Sequence, residues 1–309
     1  MKLILLVLSI TSFMFADGKI GGVTYFDLNK TDDATAFNFT RQYFSYGGEV
    51  SDKVDYNIIF DVGRTNKNDG EDTRLVAFLK KGQVNYKSQW GKFYFGLIGM
   101  NTYGVQEKNW GYRFIYNSAI DKYGFTSTVD AGVGFSRSVM DNLNFSLLVV
   151  NGEGFKKPQA DKYHKIAINT TYGESNLSKN DGYNAGVVYS TEGTDGDPTT
   201  VAGLFAGFAG MGIRLGGEYD MQTMGGVNSN IISGSVNYRV KENIDVFARY
   251  DIFEDGDTGE NDDSKNYLIA GIVLTRDGGI SVAPNVRMTT HKGETEAVIE
   301  YKVNFQFKF

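Results

Sequence analysis

The chain has 309 residues, a formal net charge of −6, 38 Gly, 22 Phe, 19 Tyr, 3 Pro and no Cys. Zero Cys excludes a disulfide framework and a thiolate metal site, and the acidic balance argues against a nucleic-acid binder. A hydrophobic fraction of 41% is too low for a bundle of membrane helices. Abundant Gly and aromatics with so little Pro suit a chain of strands, because Pro removes a ladder donor.

Residues 1–16 read as a secretory signal, with Lys2 as the positive start, Leu3 to Ile10 as a short apolar run and Ala16 before the cleavage point. That run is too short to span a bilayer as a helix, and no later segment reaches about 18 apolar residues. Residues 17–309 then form one domain. Alternating segments predict sixteen strands near 19–29, 36–50, 53–65, 73–88, 91–101, 125–138, 142–152, 163–173, 182–191, 200–209, 211–222, 230–240, 243–254, 265–275, 279–289 and 296–309. In the third, Val54, Tyr56, Ile58, Phe60 and Val62 alternate with Asp55, Asn57, Ile59 and Asp61. Phase is blurred in 73–88, 200–209 and 265–275, where bulges are expected.

Connections after even strands are short, as at Ser51-Asp52, Gln89-Trp90 and Lys241-Glu242, with Gly173 to Asp181 of moderate length. Those after odd strands are long and polar, among them Thr65 to Asp72, Thr102 to Gly124, Gln222 to Ser229 and Glu254 to Ser264. Short turns on one side and long loops on the other are the pattern of an outer-membrane barrel. The last nine residues fit it. Tyr301, Val303, Phe305, Phe307 and Phe309 alternate with Lys302, Asn304, Gln306 and Lys308, one face for lipid and one for water. The fold class is all-β: a closed antiparallel transmembrane barrel of sixteen strands with an inward-folded third loop.

Thr102 to Gly124 is the longest connection and carries Trp, Phe, Ile and several Tyr together with Glu107, Lys108, Arg113, Asp121 and Lys122. Such a loop is poorly suited to open water, so it is expected to pack on the barrel wall; a surface loop with an aromatic cluster is the alternative. With its signal, strand count, third loop and terminal Phe309, the chain resembles the Gram-negative porins. The run GLIGM…EKNWGYR at Gly96 to Arg113 looks closest to the branch of phosphate-selective porins and their relatives. The resemblance implies a homotrimer in the outer membrane of a Gram-negative bacterium. It also implies that the terminal strand, with Tyr301, Phe305, Phe307 and Phe309, serves as the signal for the barrel-assembly machinery.

Inward faces carry Lys92, Lys165, Arg214, Arg239, Arg249, Arg287, Lys302 and Lys308 against Asp55, Asp61, Asp130, Glu218, Asp220, Asp245, Asp251 and Glu300. The sets are equal, so phosphate selectivity is not carried over, since charge rings set ion preference. The balance suggests a wide, weakly selective pore. For most of these residues a wall salt bridge that only holds strands together is the simpler reading. Glu107, Lys108, Arg113 and Asp121 on the loop, with Arg214, Arg239 and Arg249 on the wall, are the candidates for a constriction. Tyr25, Trp90, Phe93, Phe95 and Tyr238 are candidates for interface girdles. Asp255, Asp257, Glu260 and Asp262 have oxygen-ligand spacing but lack a full calcium-loop pattern. They read more simply as a solvated acidic loop bridged to lipopolysaccharide.

There is no GxSxG and no phosphate-cradling loop, and no spacing ties His164 or His291 to a Ser, so neither an enzyme nor a cofactor is expected. The expected function is passive diffusion of small hydrophilic solutes and ions through a water-filled channel. The alternative is a closed structural or adhesive barrel whose loops bind surface partners.

Overall fold

The computed structural model describes residues 18–31, 34–64, 74–257 and 262–309. The leader at 1–16 and Glu260 lie outside them. The strands are β1 Lys19–Lys30, β2 Thr35–Ser51, β3 Val54–Arg64, β4 Leu75–Ser88, β5 Gly91–Gly99, β6 Val129–Met140, β7 Leu143–Val150 and β8 Lys165–Gly173. They continue as β9 Gly182–Glu192, β10 Thr199–Gly210, β11 Ile213–Met224, β12 Val227–Lys241, β13 Ile244–Glu254, β14 Lys265–Arg276, β15 Ile280–His291 and β16 Val298–Lys308. Each pairs antiparallel with its sequence neighbours, and β16 closes on β1, leaving no free edge. Closure is what lets every backbone group of a sheet find a partner where no water reaches. No helix among the described residues is long and apolar enough to cross a membrane.

Burial is inverted relative to a soluble protein. Phe37, Phe44, Phe60, Leu79, Phe95, Leu204, Ile232 and Tyr301 are exposed on the outside, while Asp27, Asn85, Asn169, Asp220, Arg249 and Asn304 are buried on the opposite face. Period-2 alternation makes this sorting, because successive side chains leave opposite faces of a strand. The closing seam follows it: Phe26 pairs with Phe305 in register, their rings stacked at 4.4 Å.

Three expectations are corrected. Gln222 to Ser229 is not a long loop. β11 and β12 run on to Met224 and Val227 and join through Gly225-Gly226, both at positive φ (58° and 81°). That is the left-handed pair a two-residue hairpin requires. The polar ends, where Thr223 bonds Asn228 at 2.7 Å, disguised the strands. Tyr25 is no girdle residue: it shares the inner face with Asp27 and packs edge-on against Tyr43, 6.2 Å away. Residues 125–128 extend the loop, and the strand starts at Val129.

The blurred segments resolve differently. β4 carries a bulge at Lys80. β10 pairs regularly on both sides. The β14–β15 ladder is interrupted near Pro284 without a change of register, because Pro has no N–H to give.

Candidate functional site

The connection between β5 and β6 holds two short helices, α1 (Gly104–Trp110) and α2 (Ala119–Lys122). Lacking a neighbouring strand, its backbone must find partners elsewhere, and the polar faces of β9 to β16 supply them. Arg214 and Asn237 donate to the Trp110 carbonyl at 3.1 and 3.3 Å. Asn304 donates to the Phe114 carbonyl at 3.3 Å and Arg287 to the Ile115 carbonyl at 2.8 Å. Arg249 donates to the Asn117 carbonyl. The Ala119 N–H donates to Glu218 Oε1 at 2.9 Å. Side chains add to this grip. Tyr112 donates to Asp245 at 2.7 Å, Tyr116 stacks on Tyr267 at 4.7 Å and Tyr123 on Phe253 at 4.5 Å. The aromatics that made this loop unsuited to water are the ones it buries.

Arg249 is central. It is 2% exposed, it binds Asp251 through two hydrogen bonds of 2.8 and 2.7 Å, and its guanidinium lies over Trp110 and Tyr116. A buried cation needs both a paired carboxylate and satisfied N–H groups, and here the loop provides the second. Arg214 likewise lies over Tyr112. Both belong to the loop's underside. Arg239 is well exposed and paired with Asp245 at 3.2 Å.

The loop's other side carries a charged group of its own. Arg113 bonds Glu107 and Asp121, the latter at 2.9 Å; Lys108 is exposed and stands outside this cluster. Arg113 and Asp121 line a cavity of about 290 Å³ together with Arg41, Lys80, Glu153 and Lys156. Arg41 Nε and Lys80 Nζ lie 3.4 and 3.8 Å from the same Asp61 oxygen, and both donate to the Tyr43 hydroxyl, at 2.5 and 2.8 Å.

Arg41, Lys80 and Lys81 escaped the sequence reading because bulges place them. The β1–β2 register slips between Tyr25 and Phe26, leaving Thr40 unpaired. The β3–β4 register slips between Ile59 and Phe60, leaving Lys80 unpaired. A bulge re-aims the side chains after it. The one signal in the sequence is the pair Lys80-Lys81 itself, since strict alternation would turn one lysine to the apolar outer face.

The remaining inward carboxylates are largely covered. Asp61, Asp130, Asp220 and Asp251 are buried. Asp130 accepts from the N–H groups of Ala131, Gly152 and Gly154, and Glu218 lies beneath Ala119. In the acidic loop Asp255 accepts from Asp257 and Asp263 N–H groups, and Asp262 binds Lys292 at 2.8 Å. Among the described residues no group of three His, Asp or Glu could hold a metal ion. His291 stands 3.8 Å from Asp263.

No protein-family model matches the chain, and no curated protein matches it. Solved structures do. OmpF of Salmonella typhi, in complex with daunomycin, is 11% identical, with a TM-score of 0.68 over 94% of this chain and 97% of that one. The chain has the porin fold. OmpT of Vibrio cholerae superposes with a TM-score of 0.67 at 12% identity, over 94% of this chain and 97% of its own; it is also known in a trimer form. The anion-selective porin of Comamonas acidovorans gives 0.65 at 11% identity, over 95% and 99%. At such identities the likeness carries the porin fold and leaves side-chain roles to the geometry above.

Proposed function

We propose that the protein is an outer-membrane porin of a Gram-negative bacterium, a passive channel for small hydrophilic solutes and ions rather than an enzyme. The observation that carries this reading is the inside-out wall. A closed barrel with a lipid-compatible outer face and a charged inner face encloses a polar path, and barrels of about sixteen strands are wide enough to hold an aqueous channel. The loop at 102–124 folds into the lumen and narrows it. Its aromatic underside is fastened by Arg214, Arg249 and Arg287, and its Glu107–Arg113–Asp121 face stands toward Arg41 and Lys80 as the constriction.

Residues 1–16 direct export and the terminal strand ending at Phe309 addresses the assembly machinery. Assembly as a homotrimer is supported by the trimer form of the similarly folded OmpT. The acidic loop, with Asp255 and Asp262, faces the lipopolysaccharide side.

Planar-bilayer recording tests the proposal. Purified folded protein is expected to insert with discrete, long-lived conductance steps. Well-folded protein that carries no current would favour a closed barrel acting through its loops instead.

A further inference from the structure

Lys80 and Lys81 are neighbours in a strand, yet both face the lumen. Lys80 is the unpaired residue of the bulge, and Lys81 pairs with inward-facing Ile59. The two ammonium groups then have different fates. Lys80 is buried, shares Asp61 with Arg41 and rests against Tyr43. Lys81 has no carboxylate partner among the described residues. It opens onto a chamber of about 1360 Å³ lined also by Lys19, Lys92, Gln83, Asn85, Asp55 and Glu49, the last paired with Lys87 at 3.6 Å. Lys92 in turn has Asp55 at 3.8 Å, and Asp55 is already taken up by Asn85 and Lys87.

The equal tally of inward charges therefore misstates the field in the open lumen. Four of the eight counted carboxylates are buried and a fifth is covered by Ala119. Asp245 is claimed by Tyr112 and Arg239, and Glu300 faces Lys302 at 3.9 Å. Buried Arg249 and Arg287 offset part of this. Three inward cations stand outside that count, Arg41, Lys80 and Lys81; Arg41 and buried Lys80 are drawn to Asp61, in a cavity that also holds Asp121 and Glu153, which leaves Lys81 without a carboxylate partner among the described residues. An unpaired charge on the wall of a narrow pore raises the local concentration of its counter-ion.

Building on the porin reading, we propose that the β4 bulge makes the channel prefer small anions, with Lys81 as the residue that determines the preference. Chloride is the probe. In an about tenfold KCl gradient across a planar bilayer, the reversal potential is expected to report chloride permeating better than potassium. Lys81→Gln lowers the permeability ratio by about sixfold, because one unit charge some 8 Å from a passing ion in water favours chloride and disfavours potassium by about 2.4-fold each. Lys81→Arg keeps it, and Lys81→Glu turns the channel toward potassium. Heat-dependent gel mobility of each variant confirms that the barrel is folded. A conducting wild type without anion preference would overturn this inference and leave the porin reading standing, as would an unchanged ratio in Lys81→Gln. Absence of any channel from folded protein would overturn both.

Discussion

Asn109 and Asn184 hold each other through two amide hydrogen bonds: Asn109 Nδ2 donates to Asn184 Oδ1 at 2.9 Å, and Asn184 Nδ2 donates back at 2.8 Å. Both side chains are buried, and the pair joins α1 of the loop to β9 of the wall. Asn109→Ala leaves a buried amide without its partner, which costs about 1–3 kcal/mol. The expected outcome is a barrel that still forms, melts at lower temperature on heat-shift gels, and shows noisier open-channel current as α1 detaches. Quiet current and an unchanged melt would count against the anchor.

The same helix lies against glycines. A Cβ on Gly207 would fall 2.7 Å from Asn109 Nδ2, and one on Gly216 would fall 3.2 Å from Asn109 Cβ. Both distances are tighter than ordinary packing, so Gly207→Val should push α1 off the wall. Single-channel conductance is expected to change together with the noise. Gly234→Val, at a site where nothing lies within 4 Å, should leave both as they are.

Arg249→Met removes one partner of a buried ion pair and strands Asp251 in the wall. Such a break costs about 3–5 kcal/mol. Because Arg249 also holds the Asn117 carbonyl, the loop should become accessible to added protease between 111 and 118. Equilibrium unfolding in urea measures the first effect and peptide mapping the second. Replacing Arg249 together with Asp251 by Met and Leu should recover much of the unfolding free energy and none of the loop protection.

Phe309 closes the barrel on Gly22, with reciprocal backbone hydrogen bonds of 3.1 Å. Its ring lies where a Cβ on Gly22 would stand, 2.1 Å from Cζ. Deleting Phe309 is expected to reduce the amount of folded protein at the cell surface while the molecules that do assemble conduct normally. Gly22→Val should reproduce that phenotype by displacing the ring. Normal surface levels for both would argue that the terminal ring has no part in assembly.

Asp262 in the β13–β14 connection is held down to about 2, first by Lys292 in the β15–β16 connection and then by the Ser264 hydroxyl and N–H. A carboxylate with a depressed value stabilises the folded form above its unfolded pKa near 4, and that contribution is lost as pH falls toward about 2. The link between these two loops should therefore persist at pH 5 and weaken below about pH 3. Protease sensitivity of residues 292–297 across that range is the measurement. Asp262→Asn should show the acid behaviour already at pH 7, and a pH-independent cleavage rate in the parent protein would speak against the pairing.

Much of this architecture was legible in the residues. Period-2 alternation in segments such as Val54–Val62 and Tyr301–Phe309 specifies which side chains share a face, so strand number and the two faces follow from local pattern. The aromatic content of the third loop announced that it must pack on something. Gly225-Gly226 could have been recognised as a hairpin turn, but its polar flanks resembled a loop.

What sequence alone could not decide was where the pattern slips and what each charge meets. A bulge is a property of two strands, set by how β3 matches β4, and it moves Lys80 and Lys81 to the same side without any change in composition. Burial is likewise collective: Arg249 reads as a pore-lining cation until α1 and the chain after it settle on top of it. Alternation is carried by the order of residues along one strand. The balance of charge in the lumen depends on which of those residues a distant loop covers, and that is decided only when the barrel closes around it.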